Sequence, residues 1–141
     1  MTQLILFTEI ENEICILLAQ RINLNKDFYL KLNGPRGKAI HEKNENMEAC
    51  VIRECFEEAE IVLRNEKLVK IFEETSIYLH PLEEPPKQTE LYTLGPWHLY
   101  KIKDLLKHQN ELVPVLGENI ELIDGKIKTY EQDVLELPIN I

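Results

Sequence analysis

Short apolar runs separated by acidic, glycine-bearing or proline-bearing stretches set the rhythm of the chain. Residues 4–8 and 14–18 are rich in Ile and Leu and predict two strands, joined across the acidic stretch from Glu9 to Glu13. Residues 28–32 alternate Phe, Leu and Leu with Tyr and Lys, the period of a half-buried strand. A loop with two glycines, Gly34 and Gly37, follows. A helix is expected from an Asn46 N-cap to about Ala59, with Met47, Cys50, Val51 and Phe56 available for burial and the glutamates on the polar side.

The second half repeats this texture with fewer helical signals. Residues 69–73 and 76–80 read as strands, and 81–88 holds too many prolines for a regular element and reads as an exposed loop. Residues 97–100 predict a short strand, after which Ile102, Leu105 and Leu106 fall at helical spacing as far as about His108. Asp124-Gly125, flanked by apolar residues 120–123 and by Lys126-Ile127-Lys128, carries the local signal of a β-hairpin. No internal repeat or low-complexity tract interrupts the pattern. The expected architecture is an α/β (α+β) domain, a mixed sheet with helices around one core.

Composition narrows the setting. With 141 residues, 44% of them apolar, the chain suits one domain spanning 1–141. A formal charge of −9 argues against a general polyanion binder, because nucleic-acid affinity rests mostly on Lys and Arg neutralising phosphates. It leaves room for a phosphorylated ligand whose charge is met by bound metal. Three cysteines, Cys15, Cys50 and Cys55, lack metal-ligand spacing and suit a reduced compartment. The apolar start is too short for a membrane span or a signal-peptide core, so a soluble cytoplasmic protein is expected.

On the expected first helix, Glu54, Glu57 and Glu58 stand at i, i+3 and i+4 and share one face. Three carboxylates that close raise each other's pKa, and a divalent cation relieves the repulsion. A lone cluster of this kind is usually a solvated helix face. Here it is joined by Glu45, Arg53 and an upstream glycine at definite spacing.

The segment from Gly37-Lys38 through Glu45 to Arg53-Glu54-Cys55-Phe56-Glu57-Glu58-Ala59-Glu60-Ile61 resembles the Nudix box, G-x5-E-x7-R-E-U-x-E-E-x-G-U, where U is aliphatic. The register holds from Glu45 onward. Two departures stand out: seven residues rather than five separate Gly37 from Glu45, and Glu60 replaces the motif glycine. Cys55 replaces an aliphatic residue, a mild change for a buried thiol. Residues 14–21 and 28–30 are similar to the strands that lead into the box in that family. Pro35-Arg36-Gly37-Lys38, with Cys50 ahead of Val51-Ile52-Arg53-Glu54, resembles the box of mRNA-decapping members. Dinucleoside polyphosphate hydrolases can carry a similar loop, and residues 118–141 lack the basic helix that decapping enzymes usually add.

The resemblance implies a mixed sheet sandwiched between helices and a hydrolase of nucleoside diphosphates linked to another group X. It implies magnesium or manganese held by Glu54, Glu57 and Glu58, which would also be the catalytic residues. Arg53 would pair with Glu45 and brace the loop, while Gly37 and Lys38 shape the loop beside the metal. Glu54 is one candidate general base, and Glu90, placed ahead of Trp97, is another. The substrate reading leans to a capped RNA 5′ end over dinucleoside polyphosphates or nucleotide sugars, and a homodimer stays open. The alternative is a Nudix-like nucleotide-binding or regulatory domain with little or no turnover, supported by Glu60 and the longer loop. Trp97 and Tyr100 are weighed as base-stacking surfaces against ordinary packing, and the four histidines as structural or surface groups.

Overall fold

Alternating burial along the first twenty residues builds a long antiparallel hairpin. In the computed structural model, which describes residues 1–71 and 76–135, β1 (Thr2–Ile10) pairs with β2 (Glu13–Gln20) in a register that sets Phe7 opposite Ile16. Glu11 and Asn12 close the hairpin with φ of 52° and 66°, the paired positive values of a type I′ turn. Both strands run longer than the apolar residues alone predict.

Around this hairpin the sheet is mixed. β6 (Ile77–Pro81) lies parallel to β1, while β5 (Val69–Lys70) and β7 (His98–Lys101) pair antiparallel to β6 and β2. Two short strands, β3 (Leu32–Asn33) and β4 (Arg36–Gly37), attach antiparallel to β2 and β1. The predicted 69–73 strand is seen at Val69 and Lys70; Ile71 is a bend, and Phe72 and Glu73 lie outside the described residues.

Side-chain alternation divides the core in two. Leu4, Leu6 and Leu17 face α1 (Met47–Ala59), packing with Val51, Cys55 and Ala59. Ile5, Ile16 and Leu18 face the other way, onto Ile102, Leu116, Ile120, Ile123 and Ile127. Those residues belong to α2 (Ile102–Leu105), α3 (Pro114–Gly117) and α4 (Ile120–Lys128), with α5 (Tyr130–Leu135) following. The expected sheet between helices is present. Among the described residues, no helix is long and apolar enough to cross a membrane.

Two expected elements are different. Residues 28–31 form a turn rather than a strand, with Phe28 and Leu30 at φ 62° and 67° and the Lys31 N–H donating to the Phe28 carbonyl. Among the described residues no named strand pairs along 28–31, only Arg21 exchanging backbone bonds with Leu30 and Lys31, and Phe28, Tyr29 and Leu30 remain exposed. The hairpin expected at Asp124-Gly125 is the middle of α4. Ile120, Ile123 and Ile127 recur at i, i+3 and i+7 and bury one helical face, which outweighs the turn preference of Asp-Gly.

Candidate functional site

Helix α1 delivers the glutamates. Its N-terminus is capped by Asn46, whose side chain accepts the Ala49 N–H at 2.8 Å. Val51, Cys55 and Ala59, one turn apart, bury against the sheet, and Cys50 is buried beside Thr2. Burial pushes the Cys55 thiol up to about 12, so it serves as core rather than nucleophile. Met47 and Phe56, expected inside, lie on the outer side at 37% and 52% exposure. The helix has room for only one buried stripe, and the cysteines fill it.

One guanidinium ties the preceding loop to this helix. Arg53 donates to Glu45 through Nε at 2.7 Å and Nη2 at 3.0 Å, to Glu54 at 2.8 Å, to Glu57 at 3.1 Å and to the Lys38 carbonyl at 2.9 Å. Arg53 and the Ile40 N–H together hold the Glu45 carboxyl down to about 2. Lys38 contributes its backbone here; its side chain is exposed. Gly37 sits hard against Glu54, where a Cβ would lie 2.1 Å from the carboxyl carbon. The two additional loop residues are taken up by a 3-10 turn, His41–Lys43, ended by Asn44 at φ 53°, so Glu45 still reaches Arg53.

At its C-terminus α1 ends on Glu60 at φ 52°, the left-handed geometry that glycine adopts most readily. The N–H of Glu60 closes on the Phe56 carbonyl at 2.9 Å. Three further terminal carbonyls are met from the loop beyond β6. Thr89 Oγ1 donates to Glu57 O at 2.6 Å, Trp97 Nε1 to Glu58 O at 3.3 Å, and Lys87 N to Ala59 O at 2.8 Å. Trp97 is thus packing, set against the α1 side of the core, and Tyr100 packs on the opposite side. His80 is structural: its Nε2 accepts the Arg64 N–H at 3.0 Å, and it is buried.

That loop also brings Glu90 to Glu58. Both border a cavity of ≈ 250 Å³, together with Arg21, Lys26, Asn33 and Arg36. Glu58 is 9% exposed, and desolvation, then Glu90 and Glu54, push its carboxyl up to about 9. Desolvation likewise raises Glu54, against the pull of Arg53. Glu57 is the most open of the three, its side chain 52% exposed. Thr93 fixes Glu90 by donating to it at 2.7 Å.

Among the described residues, no three His, Cys, Asp or Glu side chains are gathered closely enough to form a ready metal centre. The donor chemistry nevertheless suits a hard divalent cation. Two carboxyls with raised pKa lie beside each other, a third, Glu57, shares their helix face, and neutralisation relieves their repulsion. Arg21, Lys26 and Asn33 are not legible as site residues in the sequence. They arrive from separate segments with no motif spacing, and only Arg36 has a local signal, beside Gly37 in the glycine loop.

With sheet, helix and brace in view, the chain has the Nudix fold. It superposes on the NUDIX domain of Shewanella oneidensis NrtR, solved with ADP ribose, with a TM-score of 0.65 and 18% identity over 89% of this chain and 86% of that one. A C. elegans Ap4A hydrolase binary complex gives a TM-score of 0.62 at 15% identity over 90% and 96% of the two chains. The MutT protein of Methanosarcina mazei Go1 gives 0.59 at 18% identity over 90% and 96%. At these identities the likeness is one of fold. No protein-family model matches the sequence, and no curated protein matches it either.

Proposed function

We propose that the protein is a divalent-metal-dependent hydrolase of the diphosphate linkage in a nucleoside diphosphate joined to another group. The observation that carries this reading is the buried Glu58, crowded by Glu54 and Glu90 on a cavity that also holds Arg21, Lys26 and Arg36. Carboxylates suited to a cation and cations suited to phosphate share one small space. Magnesium or manganese would be held by Glu54, Glu57 and Glu58, with Glu57 exchanging its Arg53 contact for the ion. When bound, the ion supplies charge for the phosphoryl oxygens and lowers the pKa of the attacking water.

The chain's own groups do the rest. Glu54 or Glu90 takes a proton from water as its oxygen bonds to phosphorus. The anhydride P–O bond breaks, and the departing phosphate leaves as an anion stabilised by the cavity cations. Arg53 and Glu45 keep Glu54 in place through the loop brace.

The structure favours turnover over the weakly active alternative on two points. Glu60 takes the left-handed geometry of the motif glycine, and the longer loop is absorbed by the 3-10 turn without displacing Glu45. For the substrate we favour a small nucleotide: the NrtR domain was solved with ADP ribose, and another neighbour is an Ap4A hydrolase. A capped RNA 5′ end keeps the support of Pro35-Arg36-Gly37-Lys38 alone.

The test offers ADP-ribose, Ap4A and a capped dinucleotide with magnesium or manganese to wild type and Glu57→Gln. Metal-dependent release of nucleotide products is expected, with kcat lowered about 100-fold or more in the variant. No turnover with any substrate, or equal rates for the two proteins, would overturn the assignment.

A further inference from the structure

The segment from Lys87 to Trp97 is seated on the C-terminal turn of α1 at three points. Thr89 Oγ1 donates to Glu57 O at 2.6 Å, Lys87 N to Ala59 O at 2.8 Å and Trp97 Nε1 to Glu58 O at 3.3 Å. The segment also closes on itself and on β2. Gln88 Nε2 donates to Leu94 O at 3.0 Å, Leu94 N to Glu90 O at 3.0 Å, and Gly95 N to Gln20 O at 2.8 Å. Glu90 is thereby held twice: its backbone is one residue from the Thr89 anchor, and its carboxylate accepts the Thr93 hydroxyl at 2.7 Å.

The Thr89 bond differs from the other two in what it does for the fold. Trp97 is partly buried against the α1 side of the core, where its indole N–H needs an acceptor. The Lys87 bond is made by backbone, which any residue but proline supplies. Thr89 and Glu57 are both exposed, so water could serve the hydroxyl and the carbonyl equally well. What this bond fixes is geometry. It ties the residue before Glu90 to the residue before Glu58, and those two glutamates border the same ≈ 250 Å³ cavity. Carboxylates that share so small a space repel, and the exposed Glu90, unanchored, would swing out to water. Thr89 opposes that movement.

We propose that Thr89 is a positioning residue that holds Glu90 against the glutamate face of α1, so that a divalent cation bound at Glu54, Glu57 and Glu58 is met by a fourth carboxylate across the cavity. The proposal rests on the reading of that face as a cation site. It adds that the strength of the site depends on a hydroxyl bonded to backbone, outside the carboxylate cluster.

Calorimetric titration with manganese chloride alone tests it on wild type, Thr89→Val, Thr89→Ser, Glu90→Gln and the double variant Thr89→Val/Glu90→Gln. Thr89→Val keeps the side chain's shape and loses the donor, and should weaken manganese binding about 3-fold or more, the order of one hydrogen bond. Thr89→Ser should bind as wild type does. In the Glu90→Gln background the valine substitution should change nothing, because no carboxylate is left to hold. A bond that merely secures the helix end would give the same loss in both backgrounds, and that result would overturn the proposal. So would unchanged affinity in Thr89→Val, or a serine variant as weak as the valine one. Failure of Thr89→Val to fold would overturn it as well, since the bond would then be one the fold itself requires. A wild type that binds no manganese would overturn the proposal together with the cation site. Coupling of Thr89 to Glu90 without turnover of any substrate would sink the hydrolase and keep the positioning role. Turnover abolished by Glu57→Gln without that coupling would do the reverse.

Discussion

At Glu60, which ends α1, backbone geometry and residue type disagree. Its φ of 52° costs an L-residue of this kind on the order of 1 kcal/mol, and its exposed ion pair with Lys87 at 3.3 Å returns little. Glu60→Gly removes the strain but enlarges the entropy of the unfolded chain, so a net gain of about 0.5 kcal/mol is expected. Chemical denaturation would show it as a shifted midpoint with an unchanged slope. A midpoint at or below wild type would mean that the Glu60 side chain contributes more than its ion pair suggests. Gly37 is the opposite case, a glycine required by contact rather than by φ. The Glu54 carboxyl occupies the space a Cβ would take, which accounts physically for a glycine ahead of this helix.

At the scale of elements, legibility follows the source of each signal. The bounds of α1 are readable because Asn46 caps it locally, but its buried stripe is read only in part: Cys50 and Val51 are inside, while Met47 and Phe56 face outward. The brace is readable through the resemblance to the Nudix box, whose spacing of Glu45 and Arg53 this chain keeps. The turn at 28–31 is not readable, since alternation states which residues share a face but not whether a neighbouring strand exists. The cavity is hidden for a related reason: Arg21, Asn33 and Glu90 become neighbours only when β2, β3 and the loop after β6 assemble. At 124–125 two local signals compete, and Gly125 gives a clean measure of which prevails. It lies in mid-helix, and a methyl group added there would meet nothing within 4 Å, so Gly125→Ala should stabilise the protein by about 1 kcal/mol. In a hairpin turn with positive φ the same change would destabilise it. Thermal melting of this single variant decides between the two.

For the whole molecule, two buried ionisable groups, His80 on β6 and Glu58 on α1, pull stability in opposite directions with pH. His80 is held below its usual 6.5, first by desolvation, so it stays neutral in the folded chain. Below pH 6.5 the unfolded chain binds the extra proton, and stability falls as the solution becomes more acidic. Glu58 is raised from 4.5 to about 9, so it keeps its proton in the folded chain while the unfolded chain releases it. From about pH 4.5 upward the unfolded state is therefore favoured progressively, until the folded carboxyl itself ionises near pH 9. In the presence of a chelator, melting temperature should decline from neutral pH toward about pH 9, and Glu58→Gln should flatten that alkaline limb while leaving the acidic one. A divalent cation that binds the ionised cluster takes the place of the proton, so added magnesium or manganese should raise the melting temperature more at about pH 9 than at about pH 5. An alkaline limb unchanged by Glu58→Gln, or a metal effect of equal size at both pH values, would separate Glu58 from the cation site and return the glutamate face of α1 to a solvated surface.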